Sequence, residues 1–307
     1  MKTVTCKGLS ISEFSLGTVQ LGMNYGINNA TGKPDAETSN AILNLAMENG
    51  INVLDTAGSY GDSELVIGNW LKTVAPSKRP LIVTKVTGIQ PGTYQSVKEY
   101  IQGKVAASKK RLGVERLDML LLHNFDEYLR NEDYVRQAME ELKADGEIRF
   151  TGASAYSHHD YGKIVETGFD ATQIPINLFD WTQIENGGME KLEKSGMIVF
   201  ARSVFLQGLV FADPDHLPEK MMFARETLIK FRGLCKKYNL TPAVLAMSYV
   251  NSLCAITSLV LGCETPRQVQ ENVDLFSQCI TLSADQLTEI RNGFVDTPGR
   301  VLNPGLW

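Results

Sequence analysis

The chain has little of what usually marks a metal centre, a disulfide framework or a Rossmann unit. Its five cysteines (Cys6, Cys235, Cys254, Cys263 and Cys279) are odd in number and scattered, with no C-x-x-C pair. That spacing excludes a zinc finger or a stapled scaffold, so no metal ligands are assigned. The thiols read as reduced, in a cytoplasmic protein. No G-x-G-x-x-G follows a strand pattern, which removes the Rossmann fingerprint. A basic excess is also missing: the net charge is −5, which argues against a nucleic-acid partner. The first residues, MKTVTCKGLSISEF, contain no long apolar run, so no signal peptide is expected. One stretch, residues 241–263, has no charged residue and is long enough to suggest a membrane span. Asn251, Ser252, Thr257 and Ser258 interrupt it. It reads as a buried helix near 241–253 followed by a buried strand near 257–262, with no membrane partner.

What is present is apolar, short and repeated. Hydrophobic residues make up 43% of the 307 residues, enough for a large core. Eight runs rich in β-branched residues recur, at 13–18, 51–56, 81–86, 117–123, 148–154, 171–176, 197–203 and 258–263. They lack polar alternation, as strands buried on both faces do. Helical periodicity fills the gaps, over Glu37–Asn49, Ser63–Lys72, Tyr94–Arg111, Asp133–Lys143 and His159–Thr167. Eight βα units in a chain of this length favour a closed barrel over an open doubly wound sheet. The alternating first residues with Lys7-Gly8 predict a hairpin ahead of it, and 282–290 predicts an added helix capped by Ser283. The reading is one α/β domain over 1–307: a (β/α)8 TIM barrel with an N-terminal β-hairpin and an extra C-terminal helix.

In such a barrel, polar residues at strand C-termini point into the mouth where active sites form. The second strand ends in Asp55, with Tyr60 in the loop after it; the third ends in Lys85 and the fourth in His123. Taken singly, Asp55 reads as a turn cap, Tyr60 as a packed aromatic, Lys85 as an ion-pair partner and His123 as a core histidine. Together on neighbouring strands they form a set. A tyrosine is a weak acid at neutral pH, and an ammonium beside it favours phenolate and lowers its pKa. Lys85 can do this if Asp55 keeps it charged, while His123 orients a substrate oxygen. The set suits proton transfer to a carbonyl oxygen as hydride reaches the carbon, or the reverse.

The stretch LDTAGSYGDSE closely resembles the aldo-keto reductase signature, and IVTKV and LLLHN resemble that family's lysine and histidine strands in order and approximate spacing. The likeness spans essentially the whole chain. It implies an NAD(P)H-dependent oxidoreductase interconverting carbonyls and alcohols, with Tyr60 as proton donor, Lys85 and Asp55 as its tuning pair and His123 as the orienting group. It also implies a dinucleotide lying across the barrel mouth. Thr18 would sit near the nicotinamide end, and Ser154 and Gln173 at the carboxamide, with Ala155 where the family usually has asparagine. Ser203, Gln207 and Gly208 would meet the pyrophosphate. Arg202 stands where the family commonly has a stacking aromatic, and a guanidinium plane can stack likewise. Glu271 and Asn272 match adenine-contacting positions. Gly262 and Gln268 replace residues that are often basic, leaving Arg267 as the nearest cation. NADPH is the expected cofactor on family habit, with NADH possible.

The substrate wall is expected in the long loop 19–34, with Tyr25, and in 177–183 with Trp181. Asn24, Asn124 and Gln183 suggest a sugar-derived carbonyl compound, and the tail ending in Trp307 is a further candidate wall. Two other functions stay open. Lys85 at a strand end also suits a Schiff-base aldolase, and a weakly catalytic, cofactor-binding regulatory relative would keep the fold. Whether the chain is a monomer or a homo-oligomer is left open.

Overall fold

Two short strands open the chain and set the floor for everything after them. The computed structural model describes residues 1–26 and 32–307. Strands β1 (Thr3–Cys6) and β2 (Leu9–Ser12) pair antiparallel. Lys7 (φ 48°) and Gly8 (φ 74°) between them are both left-handed, the conformation that lets a two-residue turn match the strand twist. Leu9 and Ile11 are buried in the same apolar cluster as Val53, Val83, Met119 and Phe200. The hairpin also bonds to Asn52, which directly precedes a barrel strand. It therefore plugs the N-terminal end of the barrel.

Eight parallel strands close the barrel: β3 (Phe14–Gly17), β4 (Val53–Asp55), β5 (Leu81–Val86), β6 (Leu117–Leu122), β7 (Ile148–Ser154), β8 (Ala171–Pro175), β9 (Ile198–Arg202) and β10 (Ser258–Gly262). They pair in chain order, and β10 returns to β3. All eight predicted strands and the hairpin are present. The uncharged stretch resolves into a buried helix, Pro242–Asn251, and β10. Among the described residues no helix is long and apolar enough to cross a membrane. The added helix runs Ala284–Gly293, with Ser283 and Gln286 forming a reciprocal capping box.

The two-residue period of a strand positions the site. Val53, Val83, Met119, Leu121, Ala171, Ile198 and Phe200 fill the barrel interior. Side chains two residues further along point the same way. That puts Asp55 after Val53, Lys85 after Val83, His123 after Leu121, Gln173 after Ala171 and Arg202 after Phe200. The outward-facing partners, such as Leu54, Ile82 and Leu120, belong to the larger cluster beneath the helices. One alternation thus builds both the core and the ring of polar groups above it.

Candidate active site

Lys85 is the centre of the polar ring. Its side chain is fully buried, and Nζ lies 2.6 Å from Asp55 Oδ1 and 3.0 Å from the Thr56 carbonyl. Gln173 Nε2 donates to the same Asp55 oxygen at 2.8 Å. The ammonium also lies 5.0 Å from the centre of the Tyr60 ring. The predicted chain from Asp55 through Lys85 to Tyr60 is therefore assembled in space. Burial works to lower Lys85, but Asp55 and Tyr60 outweigh it and hold the amine above its ordinary value.

Burial raises the Tyr60 phenol and outweighs the lowering by Lys85, so its pKa lies above the ordinary tyrosine value, not below it. The phenol is a protonated donor at neutral pH, and the ammonium limits how far burial pushes it. His123 packs edge-on against Tyr60, with ring centres 5.5 Å apart. Its Nδ1 lies 3.0 Å from Ser59 Oγ. Burial, the Lys85 ammonium and the Arg202 guanidinium depress it to about 4, against the opposing effect of Asp55. His123 is neutral at physiological pH.

A cleft of about 730 Å³ opens over Asp55 and Tyr60. Its walls include Thr18, Gln173, Arg202, Ser203, Gln207, Gly208, Gly262, Glu271 and Asn272. Ser203, Leu206 and Gln207 all adopt positive φ (63°, 45° and 51°), followed by Gly208 at 92°. Such strain in one short segment is typical of backbone shaped for a ligand, and consecutive turned amides form anion-binding concavities.

The sequence profile of the Aldo/keto reductase family matches residues 13–292. The chain belongs to that family. It is thereby an oxidoreductase that works with a nicotinamide cofactor and small-molecule carbonyl substrates. It is 27% identical over 297 residues to an NADH-specific methylglyoxal reductase of Escherichia coli (strain K12), covering 86% of this chain and 90% of that protein. It is 27% identical over 325 residues to an L-glyceraldehyde 3-phosphate reductase of Escherichia coli O157:H7, covering 94% and 90%. The fold resembles the solved glycerol dehydrogenase of Gluconobacter oxydans, with a TM-score of 0.77, 23% identity and coverage of 99% and 98%.

The strained loop and the open wall suit an extended dinucleotide of the kind the family uses. A further observation supports the fit: the amide oxygen of Gln20, on the cleft wall, is buried and has no hydrogen-bond partner among the described residues. Not every expected contact comes to the cleft. Thr18 does, held by bonds to the Asp55 carbonyl and Ser63. Ser154 is buried opposite Gln173 and is not among the wall residues. Arg267 is exposed, pairs with Glu271 at 3.3 Å, and is also not among them. Asn272 donates to Cys263 Sγ. Arg202 donates to the Ala155 carbonyl at 3.1 Å and lies over the Tyr156 ring. Among the described residues it has no carboxylate partner.

The expected substrate walls fare differently. Residues 27–31 of the 19–34 loop lie outside the described residues; Tyr25 lines the cleft. Asn124 instead caps the helix Phe125–Leu129, and Gln183 donates to the Ser157 and His159 carbonyls. Trp181 donates to the Phe294 carbonyl, and Trp307 to that of Arg300. These four hold loops in place. The residues near the site that sequence reasoning did not single out are Ser59, Gln20 and Glu264, which stand in loops or on the cleft wall with no strand-end signal.

Among the described residues, Asp126, His158 and His159 bring ligand-type atoms within 4.8 Å of one another. They do not suit a metal. His159 Nδ1 accepts the Tyr156 N–H, which leaves Nε2 to donate to Asp126. A ligating histidine needs a lone pair toward the metal and a donor on its other nitrogen, the reverse of this arrangement.

Proposed function

We propose that the protein reduces small aldehydes or ketones, with Tyr60 giving its proton to the substrate oxygen. The observation that carries this reading is the buried Lys85–Asp55 pair, 2.6 Å apart, with its ammonium against Tyr60. A reduced nicotinamide, when bound, supplies the hydride. As the Tyr60 proton leaves, Lys85 stabilises the developing phenolate, and Asp55 keeps Lys85 charged. Neutral His123, with Ser59 at Nδ1, is left to donate from Nε2 and orient the carbonyl oxygen. Arg202 takes the place of the family's stacking aromatic at the nicotinamide end. Ser203, Gln207 and Gly208 would hold the pyrophosphate, and Glu271 and Asn272 the adenosine end. A Schiff-base role for Lys85 has no support here, because that chemistry needs a neutral amine and this one is held charged.

The adenosine end of the cleft favours NADH. Glu264 and Glu271 both line it, and Gln268 is engaged by the Glu264 backbone N–H. Carboxylates suit a ribose hydroxyl and repel a 2′-phosphate, which calls for an arginine; the nearest one, Arg267, is engaged with Glu271 at 3.3 Å and is not among the wall residues. This revises the preference for NADPH drawn from family habit. The free state of the five cysteines supports a reducing, cytoplasmic setting. Dissociation constants for NADH and NADPH, measured by fluorescence, test the choice. NADH is expected to bind at least about tenfold more tightly, a difference of roughly 1.4 kcal/mol; equal or reversed affinities would refute it.

A further inference from the structure

Arg202 is supported more elaborately than a strand-end charge requires. Its guanidinium carbon lies 4.8 Å from the centre of the Tyr156 ring, and Nη2 is tied to the Ala155 carbonyl. Tyr156 is exposed, so its ring is not held by a core. What is held is its backbone. The Tyr156 N–H donates to buried His159 Nδ1 at 2.9 Å, and His159 Nε2 lies 3.0 Å from Asp126 Oδ1. The Asp126 N–H is in turn bonded to Asn124 Oδ1 at 2.9 Å. The His158 ring lies nearly parallel to that of Tyr156, 9° off at 5.9 Å. A continuous set of bonds therefore runs from the helix Phe125–Leu129 to the ring under Arg202.

An aromatic face attracts and orients a planar cation. A long arginine side chain without such a support loses several rotamers on binding, and pre-ordering it removes that cost. We infer that Tyr156 is a positioning residue: its ring fixes the plane of the Arg202 guanidinium for the nicotinamide end of the cofactor, and the Asp126–His159 pair fixes the backbone that carries the ring. The inference rests on the proposed reading of the cleft as a nicotinamide site. It predicts that the ring matters and its hydroxyl does not, and that the ring acts only through Arg202.

NADH binding to the purified protein, read by fluorescence without any substrate, tests this in a double-mutant cycle. Tyr156→Leu is expected to weaken NADH binding about fivefold, and Tyr156→Phe to stay within about twofold of the parent, as a contact between cation and ring requires. In the Arg202→Leu background, Tyr156→Leu is expected to add no further loss. Parent-like binding by Tyr156→Leu would overturn the inference, as would failure of Tyr156→Phe to restore affinity. A loss of equal size in the Arg202→Leu background would also overturn it, because Tyr156 would then act independently. If the parent protein binds neither NADH nor NADPH, the nicotinamide reading itself fails, an outcome distinct from a parent that binds and a silent Tyr156→Leu.

Discussion

A lysine is seldom fully buried, and Lys85 is tolerable only because Asp55 faces it. Removing one partner of a buried ion pair strands the other charge, whereas replacing both can be neutral. Lys85→Met should therefore cost about 3–5 kcal/mol of stability, and the pair Lys85→Met with Asp55→Asn should recover most of it. Neither protein should regain turnover, because the phenolate has lost its cation. Chemical denaturation beside steady-state assays distinguishes these outcomes; a double variant no more stable than the single one would contradict the pairing. His123 makes a pH prediction. It stays neutral down to about 4 in the folded protein, while an unfolded imidazole protonates near 6.5. The unfolded chain thus binds more protons in that window, and stability is lost as pH falls from about 6.5 to about 4, by up to about 3 kcal/mol. His123→Asn should flatten this slope in denaturation measured across that range. An unchanged slope would mean that other groups produce it.

At the scale of elements, the strands were legible because burial on both faces leaves no polar alternation, and their last inward residue is where polarity returns. Asp55, Lys85 and His123 all followed from that rule, whereas the roles of Arg202 and Gln173 entered through the family resemblance. The bond of Gln173 to Asp55 followed from neither, because it joins strands far apart in sequence. The direction of the Tyr60 shift was misjudged for a related reason: neighbouring charge can be guessed from spacing, while the depth of burial belongs to the assembled loops. The hydrogen bonds of Asn124, Trp181 and Gln183 were not legible, because a loop polar or aromatic group looks the same in sequence whether it caps a helix or meets a ligand. One loop contact carries a prediction. The short helix Val19–Gly22 meets the Tyr60 turn backbone to backbone, with Asp62 N–H on the Gly22 carbonyl. A Cβ at Gly22 would fall inside contact distance of the Tyr60 carbonyl oxygen and Ser63 N. Gly22→Ala should push the turn outward, costing about 1–3 kcal/mol and, through a displacement near 1 Å, about a hundredfold in kcat. Parent-like kinetics would show that the turn is not held by this contact.

For the whole molecule, closure of β10 onto β3 and the hairpin plug leave the C-terminal end as the place where strand-end groups gather. The 730 Å³ cleft lies there, and the core beneath it is filled by the same strands that present Asp55, Lys85, Gln173 and Arg202. Fold and site are one pattern, and the proposed work of the gathered groups is to protonate a carbonyl oxygen from Tyr60. Nicotinamide oxidation with methylglyoxal as the probe, compared between the parent protein and Tyr60→Phe, tests it most directly. Loss of about 10²–10⁴-fold in kcat, the usual size of an acid–base contribution, with NADH affinity unchanged, is the predicted result; turnover by Tyr60→Phe within a few-fold of the parent would contradict it.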